Sequence, residues 1–282
     1  MSMDNQDKLD NQDKFPDDEE KSESKNENQL ITVPPLRKKI NSRKLLNEQV
    51  SNMREPYLRP GTELANRRIL SPNAKDEVIK TFGELSYRLI RKVDNSLVID
   101  NNSVIMVTSI VPKGGNSLVA LNLATSISSY ESKMSLLIDC GLTGSSGYDH
   151  LITNNEKKGL SDYLLSPDMV EDEIIYPVGI PKVRLIPSGT KKIQGEYYGS
   201  VKMLELIYNV KYRYLESYII IDAPAINESV HTELLAELSD YVLVVVPYGK
   251  VTPKDLINTA NIIGEEKLLG FVFNNKPRIK IF

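Results

Sequence analysis

From about residue 104 onwards, short apolar segments alternate with amphipathic ones, and this alternation predicts the fold. Continuous runs of Val, Ile and Leu predict buried strands, whereas apolar residues that recur every three or four positions predict helices. The predicted strands are 104–109, 134–139, 183–187, 218–222, 241–246 and 268–273, and the predicted helices are 75–92, 117–129, 200–212, 230–239 and one that begins at 252. Because buried strands separated by helices are covered on both faces, we expect an α/β, doubly wound, mostly parallel sheet.

The N-terminal part of the chain lacks this alternation. Its first thirty or so residues are polar and acidic, and such a segment buries too little surface to offset the entropy of ordering. From Pro34 to Pro72 the chain is basic, which indicates a linker with short helical pieces or, as the alternative, a contact for an anionic membrane surface or an acidic partner. We therefore assign 1–72 to a disordered, low-complexity region, acidic then basic, and 73–282 to one folded domain.

Composition and charge narrow the functional classes. Hydrophobic residues make up 40% of the chain and charged residues 26%, which is ordinary for a globular protein. The sequence has no apolar stretch long enough to span a bilayer and begins with an acidic segment, so we expect a cytoplasmic protein. The single cysteine, Cys140, allows no internal disulfide, and a net charge of -3 argues against a nucleic-acid partner.

A glycine-bearing turn follows the first predicted strand of the sheet. Gly114 and Gly115 precede a helix that opens near Ser117, which is the arrangement of a phosphate-binding loop. Backbone N–H groups in such a turn bind anions, and the hydroxyl of Ser117 is a candidate magnesium ligand. Many ordinary strand–helix turns also use glycine, so the turn alone is a weak signal.

Two other predicted strands end in aspartate, Asp139 and Asp222. One such aspartate would merely cap the next helix. Because the carboxyl ends of parallel strands share one edge, we expect both carboxylates to lie near Ser117. These oxygens suit a hard cation, so the sequence predicts a magnesium site formed by Ser117, Asp139 and Asp222.

Several motifs carry a resemblance to a known family over about residues 71–275. They comprise Thr108, Ser109, Pro112, Gly115 and Ser117 in the loop, Asn122-Leu123-Ala124 after it, Gly159 to Leu164, Ile186 to Gly189, Asp222-Ala223-Pro224 and Ser239-Asp240. The chain resembles the CpsD/CapB-type bacterial tyrosine kinases, which are P-loop ATPases related to partition and septum-site ATPases.

The resemblance implies a P-loop NTPase-like fold for 73–282 and a site for ATP or ADP with Mg. The implied nucleotide-binding residues are Gly114, Gly115, Asn116, Ser117 and Asn274, the last where relatives place an adenine-reading asparagine. In an active member, Asp139 would be the catalytic residue. The resemblance further implies a membrane-embedded polysaccharide co-polymerase or chain-length protein as partner, recruitment by it to the inner face of the cell membrane, and homo-oligomerisation.

The chain departs from the family pattern where phosphoryl transfer needs charge. Asn116 stands at the position of the phosphate lysine, and after Asp139 the chain has Gly141 and Thr143 where family members have a second aspartate and then an arginine. Charge neutralisation is central to phosphoryl transfer. Lys113 is the nearest cation that could replace the lost lysine.

These departures leave two hypotheses. The first is a degenerate, non-catalytic relative that regulates or scaffolds synthesis and export of exopolysaccharide or capsule. The second is an active ATP-dependent protein-tyrosine kinase or ATPase of polysaccharide biosynthesis. Nucleotide binding without turnover lies between them, because backbone donors and Asn274 could hold a nucleotide without the lysine.

Overall fold

The computed structural model describes residues 58–94, 102–141, 146–152, 157–213 and 217–275. Its helices are α1 (Gly61–Asn66), α2 (Asp76–Asp94), α3 (Asn116–Ser128), α4 (Leu160–Leu165), α5 (Val201–Arg213), α6 (His231–Leu238) and α7 (Pro253–Ile263). Its strands are β1 (Ser103–Ser109), β2 (Met134–Asp139), β3 (Tyr176–Pro177), β4 (Val183–Ile186), β5 (Ser217–Asp222), β6 (Tyr241–Pro247) and β7 (Leu268–Asn274). Within these ranges, no helix is long and apolar enough to cross a membrane.

The strands form one sheet in the order β3-β4-β2-β5-β1-β6-β7. All neighbouring pairs run parallel except β3 and β4, which are antiparallel. Parallel neighbours require crossover connections, and helices lie between most consecutive strands in sequence. The predicted α/β, doubly wound, mostly parallel sheet is confirmed.

Each face of the sheet carries its own hydrophobic layer, because successive strand residues point to opposite faces. Ile105 and Val107 of β1 belong to the layer that includes residues of α2 and α3. Val104 and Met106 belong to the other layer, which includes residues of α5, α6 and α7. The central strands β1, β2 and β5 are buried along their whole length, which explains their continuous apolar runs.

The predicted strands and long helices agree with the structure to within two residues at most ends, the usual uncertainty in assigning an element's limits. The structure adds α1, α4 and the short β3, which the periodicity analysis did not give as elements. The helices α1 and α4 have six residues each, which is less than two helical turns, and β3 has two residues, so none of them shows a period that can be read from sequence.

Residues 58–72, which the sequence analysis assigns to the N-terminal region, contact the core of the sheet. Leu64 and Ile69 are buried in the same layer as α3. The side chain of Asn122 accepts from the backbone N–H of Leu70 at 2.6 Å and donates to the carbonyl of Arg68 at 3.1 Å. The assignment of 1–57 lies outside the described residues, and the boundary at 72/73 stays a prediction.

Candidate functional site

The three predicted strand ends meet at one edge of the sheet. β5 lies between β2 and β1, and Asp139 and Asp222 are register partners at the carboxyl ends of β2 and β5. The loop after β1 crosses the same edge and enters α3 at Asn116. In α/β sheets, ligands bind beyond the carboxyl ends of the strands, so the topology assembles a candidate site here.

The glycines of the loop allow its tight path. Gly115 has φ +91, and a Cβ on it would lie 2.1 Å from Nδ2 of Asn274. A Cβ on Gly114 would lie 2.5 Å from the Cβ of Ser109, so the loop packs directly on β1. No side chain caps the N-terminus of α3, and the first N–H groups of a helix have no acceptor inside it. These N–H groups can donate to an anion.

Asn116 turns its side chain into the protein. Its Nδ2 donates to Oδ1 of Asp222 at 2.8 Å and to the carbonyl oxygen of Ala223 at 2.9 Å. Its Oδ1 lies 3.2 Å from the hydroxyl of Ser109, which donates to it. Both polar atoms of the amide therefore have protein partners, and the side chain ties the start of α3 to the end of β5.

Asp222 is buried and accepts further donors. The hydroxyl of Tyr148 lies 2.7 Å from Oδ2 of Asp222 and 2.9 Å from the carbonyl oxygen of Ser117. Burial and the charge of Asp139 raise the pKa of Asp222 to about 7, although hydrogen bonds from Ser117, Tyr148 and Asn116 favour the carboxylate. Near neutral pH, the carboxyl group therefore exists in both its protonated and ionised forms.

Asp139 is buried as well, and both of its oxygens have partners. Oδ1 accepts from the backbone N–H of Gly141 at 2.9 Å, and Oδ2 accepts a short hydrogen bond from the hydroxyl of Ser146. Burial raises the pKa of Asp139, and these two hydrogen bonds oppose the shift. The carboxyl pair is held by protein donors on both sides.

The remaining predicted residues lie at the rim of this arrangement. Ser117 is exposed at the start of α3, and Lys113 is exposed at the tip of the loop. Asn274 donates from Nδ2 to the carbonyl oxygen of Gly114 at 3.0 Å and accepts from the backbone N–H of Asn275 at 2.9 Å. The structure brings the predicted residues together, while their nucleotide-binding and metal-binding roles stay predictions.

Sequence reasoning missed Ser146 and Tyr148. The two residues belong to one short segment after β2, and each brings a hydroxyl to a different carboxylate, Ser146 to Asp139 and Tyr148 to Asp222. The backbone N–H of Tyr148 also donates to the hydroxyl of Ser146 at 3.1 Å. The available signal was a tyrosine among small residues shortly after a strand-ending aspartate, which becomes informative only once the pairing of β2 with β5 is known.

Comparison with known proteins finds relatives among bacterial tyrosine kinases and a polysaccharide transport protein. The succinoglycan biosynthesis transport protein ExoP of Rhizobium meliloti is 28% identical over 218 residues, which is 73% of this chain and 26% of ExoP. The tyrosine-protein kinase wzc of Salmonella typhimurium is 30% identical over 179 residues, 61% of this chain and 24% of that protein. The tyrosine-protein kinase YwqD of Bacillus subtilis is 26% identical over 205 residues, 71% of this chain and 84% of that protein.

The chain is homologous to bacterial tyrosine kinases. No family model matches the chain, so this homology rests on individual proteins. The chain spans about a quarter of the length of ExoP and of wzc, and most of the length of YwqD.

Solved structures of bacterial tyrosine kinases and P-loop ATPases share the fold of this chain. The chimerical protein CapA2B2 has a TM-score of 0.63 at 20% identity, over 83% of this chain and 99% of that chain. The kinase domain of the Escherichia coli tyrosine kinase ETK has a TM-score of 0.63 at 19% identity, over 81% and 86%. The septum-site protein MinD of Pyrococcus horikoshii, solved with Mg-ADP, has a TM-score of 0.51 at 19% identity, over 61% and 70%.

The fold family implies magnesium, but the carboxyl pair does not fit it in this conformation. Each oxygen of Asp139 and of Asp222 already accepts a hydrogen bond from the protein, and both side chains are buried. Each oxygen keeps a second lone pair, but because both side chains are buried, a magnesium ion with its near-octahedral oxygen ligands could reach them only if the surrounding residues moved. Within the described ranges, moreover, no three His, Cys, Asp or Glu residues gather as a metal cluster. In this conformation the two carboxyl groups therefore bind protein donors in place of a metal ion.

Proposed function

We propose that the chain is a degenerate, non-catalytic bacterial tyrosine kinase relative that regulates or scaffolds the synthesis and export of an exopolysaccharide or capsule. The observation that carries this proposal is the position of Asn116. Its amide is bonded to Asp222 and Ala223, at the place in the loop where the resemblance implies a phosphate-binding lysine.

Phosphoryl transfer depends on positive charge around the transferred group. An asparagine amide brings no charge, and this one has both polar atoms engaged by protein. The carboxyl pair is likewise occupied by Ser146 and Tyr148. A site whose polar groups satisfy one another has little left with which to stabilise a transition state, so the proposal assigns the domain a binding or scaffolding role.

The proposed partner is a membrane-embedded polysaccharide co-polymerase or chain-length protein, and no nucleic acid takes part. Support comes from ExoP, which is named for succinoglycan biosynthesis and transport, and from the polysaccharide-export context of the family resemblance. The partner would hold the chain at the inner face of the cell membrane. Homo-oligomerisation is part of the same proposal, and sedimentation analysis would test it.

Binding of ATP or ADP without turnover is compatible with this role. The uncapped N-terminus of α3 offers backbone N–H groups to phosphate oxygens, and Ser117 is exposed beside them. Asn274 would have to exchange its bond to Gly114 for one to a base. Thermal-shift titration with ADP and ATP, each with magnesium and with chelator, measures this, because a ligand that binds the folded state raises the melting temperature.

The deciding experiment is ATP turnover and phosphoryl transfer by the purified chain with radiolabelled ATP and magnesium. We expect no turnover above background in the wild type and none in Asp139→Ala. Wild-type turnover that Asp139→Ala abolishes would overturn the proposal. Asn116→Lys is the informative companion, since turnover gained there would mark the asparagine as the cause of inactivity.

The second candidate is an active ATP-dependent tyrosine kinase or ATPase in which Lys113 supplies the missing charge. One observation favours it: Lys113 is exposed at the tip of the loop, next to Gly114 and Gly115. Asp139 would then be the catalytic residue. In this case the wild type hydrolyses ATP and Lys113→Ala loses at least about tenfold of that rate.

A further inference from the structure

The two edges of the sheet differ in how they are protected. At one edge, β3 has only two residues, ends in Pro177 and runs antiparallel to β4. Short edge strands and prolines prevent other strands from pairing there. At the opposite edge, β7 has seven residues and contains neither a proline nor a charged residue. Among the described strands, only β6 pairs with β7, so the other side of β7 is open.

The first part of β7 has protection that the second part lacks. The register with β6 shifts between Leu268 and Gly270, as at a β-bulge. Nζ of Lys92 in α2 donates to the carbonyl oxygens of Leu268 and Leu269, at 3.1 and 3.5 Å. Bulges and lysine side chains both discourage pairing at a sheet edge. Beyond Gly270 the strand has neither, so the open stretch is 271–273.

Phe271 and Phe273 direct their backbone groups away from β6. The carbonyl oxygen of Asn274 accepts from the backbone N–H of Tyr248, which follows β6, so Asn274 faces that strand. Because successive residues of a strand alternate in direction, Val272 also faces β6, and Phe271 and Phe273 face outward. In the part of the chain that the structure describes, the outward N–H and C=O groups of these two phenylalanines have no hydrogen-bond partner. They form a template for one more strand.

The side chains of this stretch are apolar on both faces of the sheet. Phe271 packs partly on the layer that includes residues of α5, α6 and α7, and Val272 packs on the layer that includes residues of α2 and α3. Phe273 is on the same face as Phe271 and is 56% exposed. An uncharged, apolar edge strand with unpaired backbone groups is a surface at which chains associate.

We propose that β7 pairs antiparallel with β7 of a second copy of this chain, about a two-fold axis at Val272. The occupant follows from the pattern of the edge, because Phe-Val-Phe has the same order in both directions. Outward-facing residues pair in an antiparallel ladder, so Phe271 of each copy exchanges two hydrogen bonds with Phe273 of the other. All four phenyl rings then lie on one face, where aromatic pairs across strands add stability.

The edge is neutral, which favours a second copy over a charged partner. No side chain from Leu268 to Asn274 is charged, so a basic or acidic peptide finds no opposite charge there, whereas two copies meet without like charges. The open stretch is short, and its interface is smaller than the roughly 1,200 Å² that stable complexes bury, so we expect a weak dimer. This dimer gives a surface to the homo-oligomerisation in the proposed function, and it rests on that part of the proposed function alone.

Sedimentation equilibrium of the full chain, from about 1 to about 500 µM, tests the dimer. We expect a monomer–dimer equilibrium that weakens at least about tenfold in Phe273→Lys, because lysine replaces a ring of the cluster and blocks the edge. Leu204→Lys is the matched control, since Leu204 is 49% exposed on α5, which leads into β5, three strands from β7. We expect the dissociation constant of Leu204→Lys to stay within about twofold of wild type.

Cross-linking tests the register of the two strands. In Val272→Cys, made in a Cys140→Ala background, the two thiols meet at a non-hydrogen-bonded position, where Cα atoms of antiparallel strands are about 4.5 Å apart. A disulfide spans this distance, so we expect a covalent dimer in oxidised glutathione. Val230→Cys in the same background is the control, because Val230 is 74% exposed but lies outside β7. Equal cross-linking rates in the two variants would indicate random collision and overturn the pairing.

Hydrogen exchange identifies what covers the edge. Protection of the amides of Phe271 and Phe273 that rises with the concentration of the chain supports a second copy. Protection that is equally strong in dilute solution would mean that another segment of the same chain covers the edge, and it overturns the proposal.

Failure of the β7 pairing and failure of the proposed function give different results in these experiments. An oligomer that persists unchanged in Phe273→Lys overturns pairing through β7 and leaves homo-oligomerisation standing. A wild type that stays monomeric over the whole concentration range overturns both the pairing and homo-oligomerisation. The non-catalytic role is decided separately, because ATP turnover by the purified chain does not depend on β7 of a second copy.

Discussion

Two buried aspartates near the same edge of the sheet, Asp162 and Asp222, have pKa values shifted in opposite directions. Asp162 accepts from the backbone N–H groups of Gly159 and Thr190, each at 2.9 Å, and from the hydroxyl of Thr190 at 2.7 Å. Burial alone would raise the pKa of Asp162, but the hydrogen bonds from Thr190 and Gly159 outweigh it and hold the pKa below its usual range. Asp162 therefore remains a carboxylate that joins the start of α4 to the loop after β4.

Asp222 also receives several donors, yet its pKa rises to about 7. The number of hydrogen bonds does not explain the difference. What differs is the surroundings: Asp222 lies deep in the protein opposite a second carboxyl group, Asp139, whereas Asp162 lies near Lys191. The ionised carboxylate thus stabilises the fold at Asp162 and destabilises it at Asp222. Asp162 is therefore a structural group that links two segments, whereas a shifted pKa such as that of Asp222 is more typical of a functional site.

The largest expected change in the free energy of unfolding comes from removing the carboxylate of Asp162. Asp162→Ala leaves the N–H groups of Gly159 and Thr190 without their acceptor, and we expect a loss of about 2–4 kcal/mol in the free energy of unfolding. Urea denaturation measures it. Asp162→Asn keeps a carbonyl acceptor and should lose less. A loss below about 1 kcal/mol in Asp162→Ala would show that the hydrogen bonds accepted by Asp162 contribute little to stability.

At Asp222, by contrast, we expect a substitution to raise the free energy of unfolding. A folded-state pKa of about 7, above the ordinary aspartate value of 3.8, means that the favourable contribution of the protonated group is fully present below about pH 4 and is lost as pH rises through 7. Asp222→Asn keeps an acceptor for Asn116 and cannot ionise. We expect this variant to be more stable than wild type at pH 8 by about 1–2 kcal/mol and the difference to shrink toward pH 5.

Urea titrations of wild type and Asp222→Asn at pH 5 and pH 8 measure this difference. Asp162→Asn is the matched control, because its parent carboxyl group has a lowered pKa and should show no gain at pH 8. Parallel pH dependence in wild type and Asp222→Asn would mean that Asp222 ionises normally in the folded protein.

A smaller effect is expected from Asn116→Ala. The variant removes the donor to Asp222 and Ala223, and we expect a loss of about 1–2 kcal/mol in the free energy of unfolding at pH 8. The double variant with Asp222→Asn should lose less than the sum, since the two side chains share a hydrogen bond. Strictly additive losses would argue that this bond does not form in solution.

The smallest effect is expected at Lys113. Its φ of 58 is in the left-handed region, which glycine adopts without a steric penalty. Lys113→Gly should therefore change the free energy of unfolding by less than about 1 kcal/mol. Relief of the steric penalty at this positive φ favours a small gain over a loss. Thermal melting measures it, and a large loss would indicate a side-chain contact for Lys113 in the folded protein.

The sequence predicted the sheet because its strands are buried on both faces. Runs such as 104–109 and 218–222 have no polar face to obscure their apolar character, and the helices between them keep a clear period. The aspartates at the ends of β2 and β5 were found for the same reason, since the position of a strand end follows from the strand itself. Their closeness then follows from the parallel order of the strands.

The side-chain partners of these aspartates could not be read from the sequence. Asn116 suggested only a missing charge, and its bonds to Asp222 and Ala223 depend on how α3 leaves the loop. Tyr148 lies in a segment without regular periodicity, so nothing in its neighbours indicated that its hydroxyl reaches Asp222. Such contacts depend on loop conformation in three dimensions, which hydrophobic periodicity does not encode.

Cys140 offers a way to measure how often the fold opens near the end of β2. It is the only cysteine of the chain, its side chain is fully buried in the hydrophobic layer that includes residues of α5, α6 and α7, and burial raises the pKa of its thiol. Thiol reagents react with the thiolate, so the folded protein should resist labelling. Modification then requires this hydrophobic layer to open near the end of β2, and the labelling rate would report how often it does so.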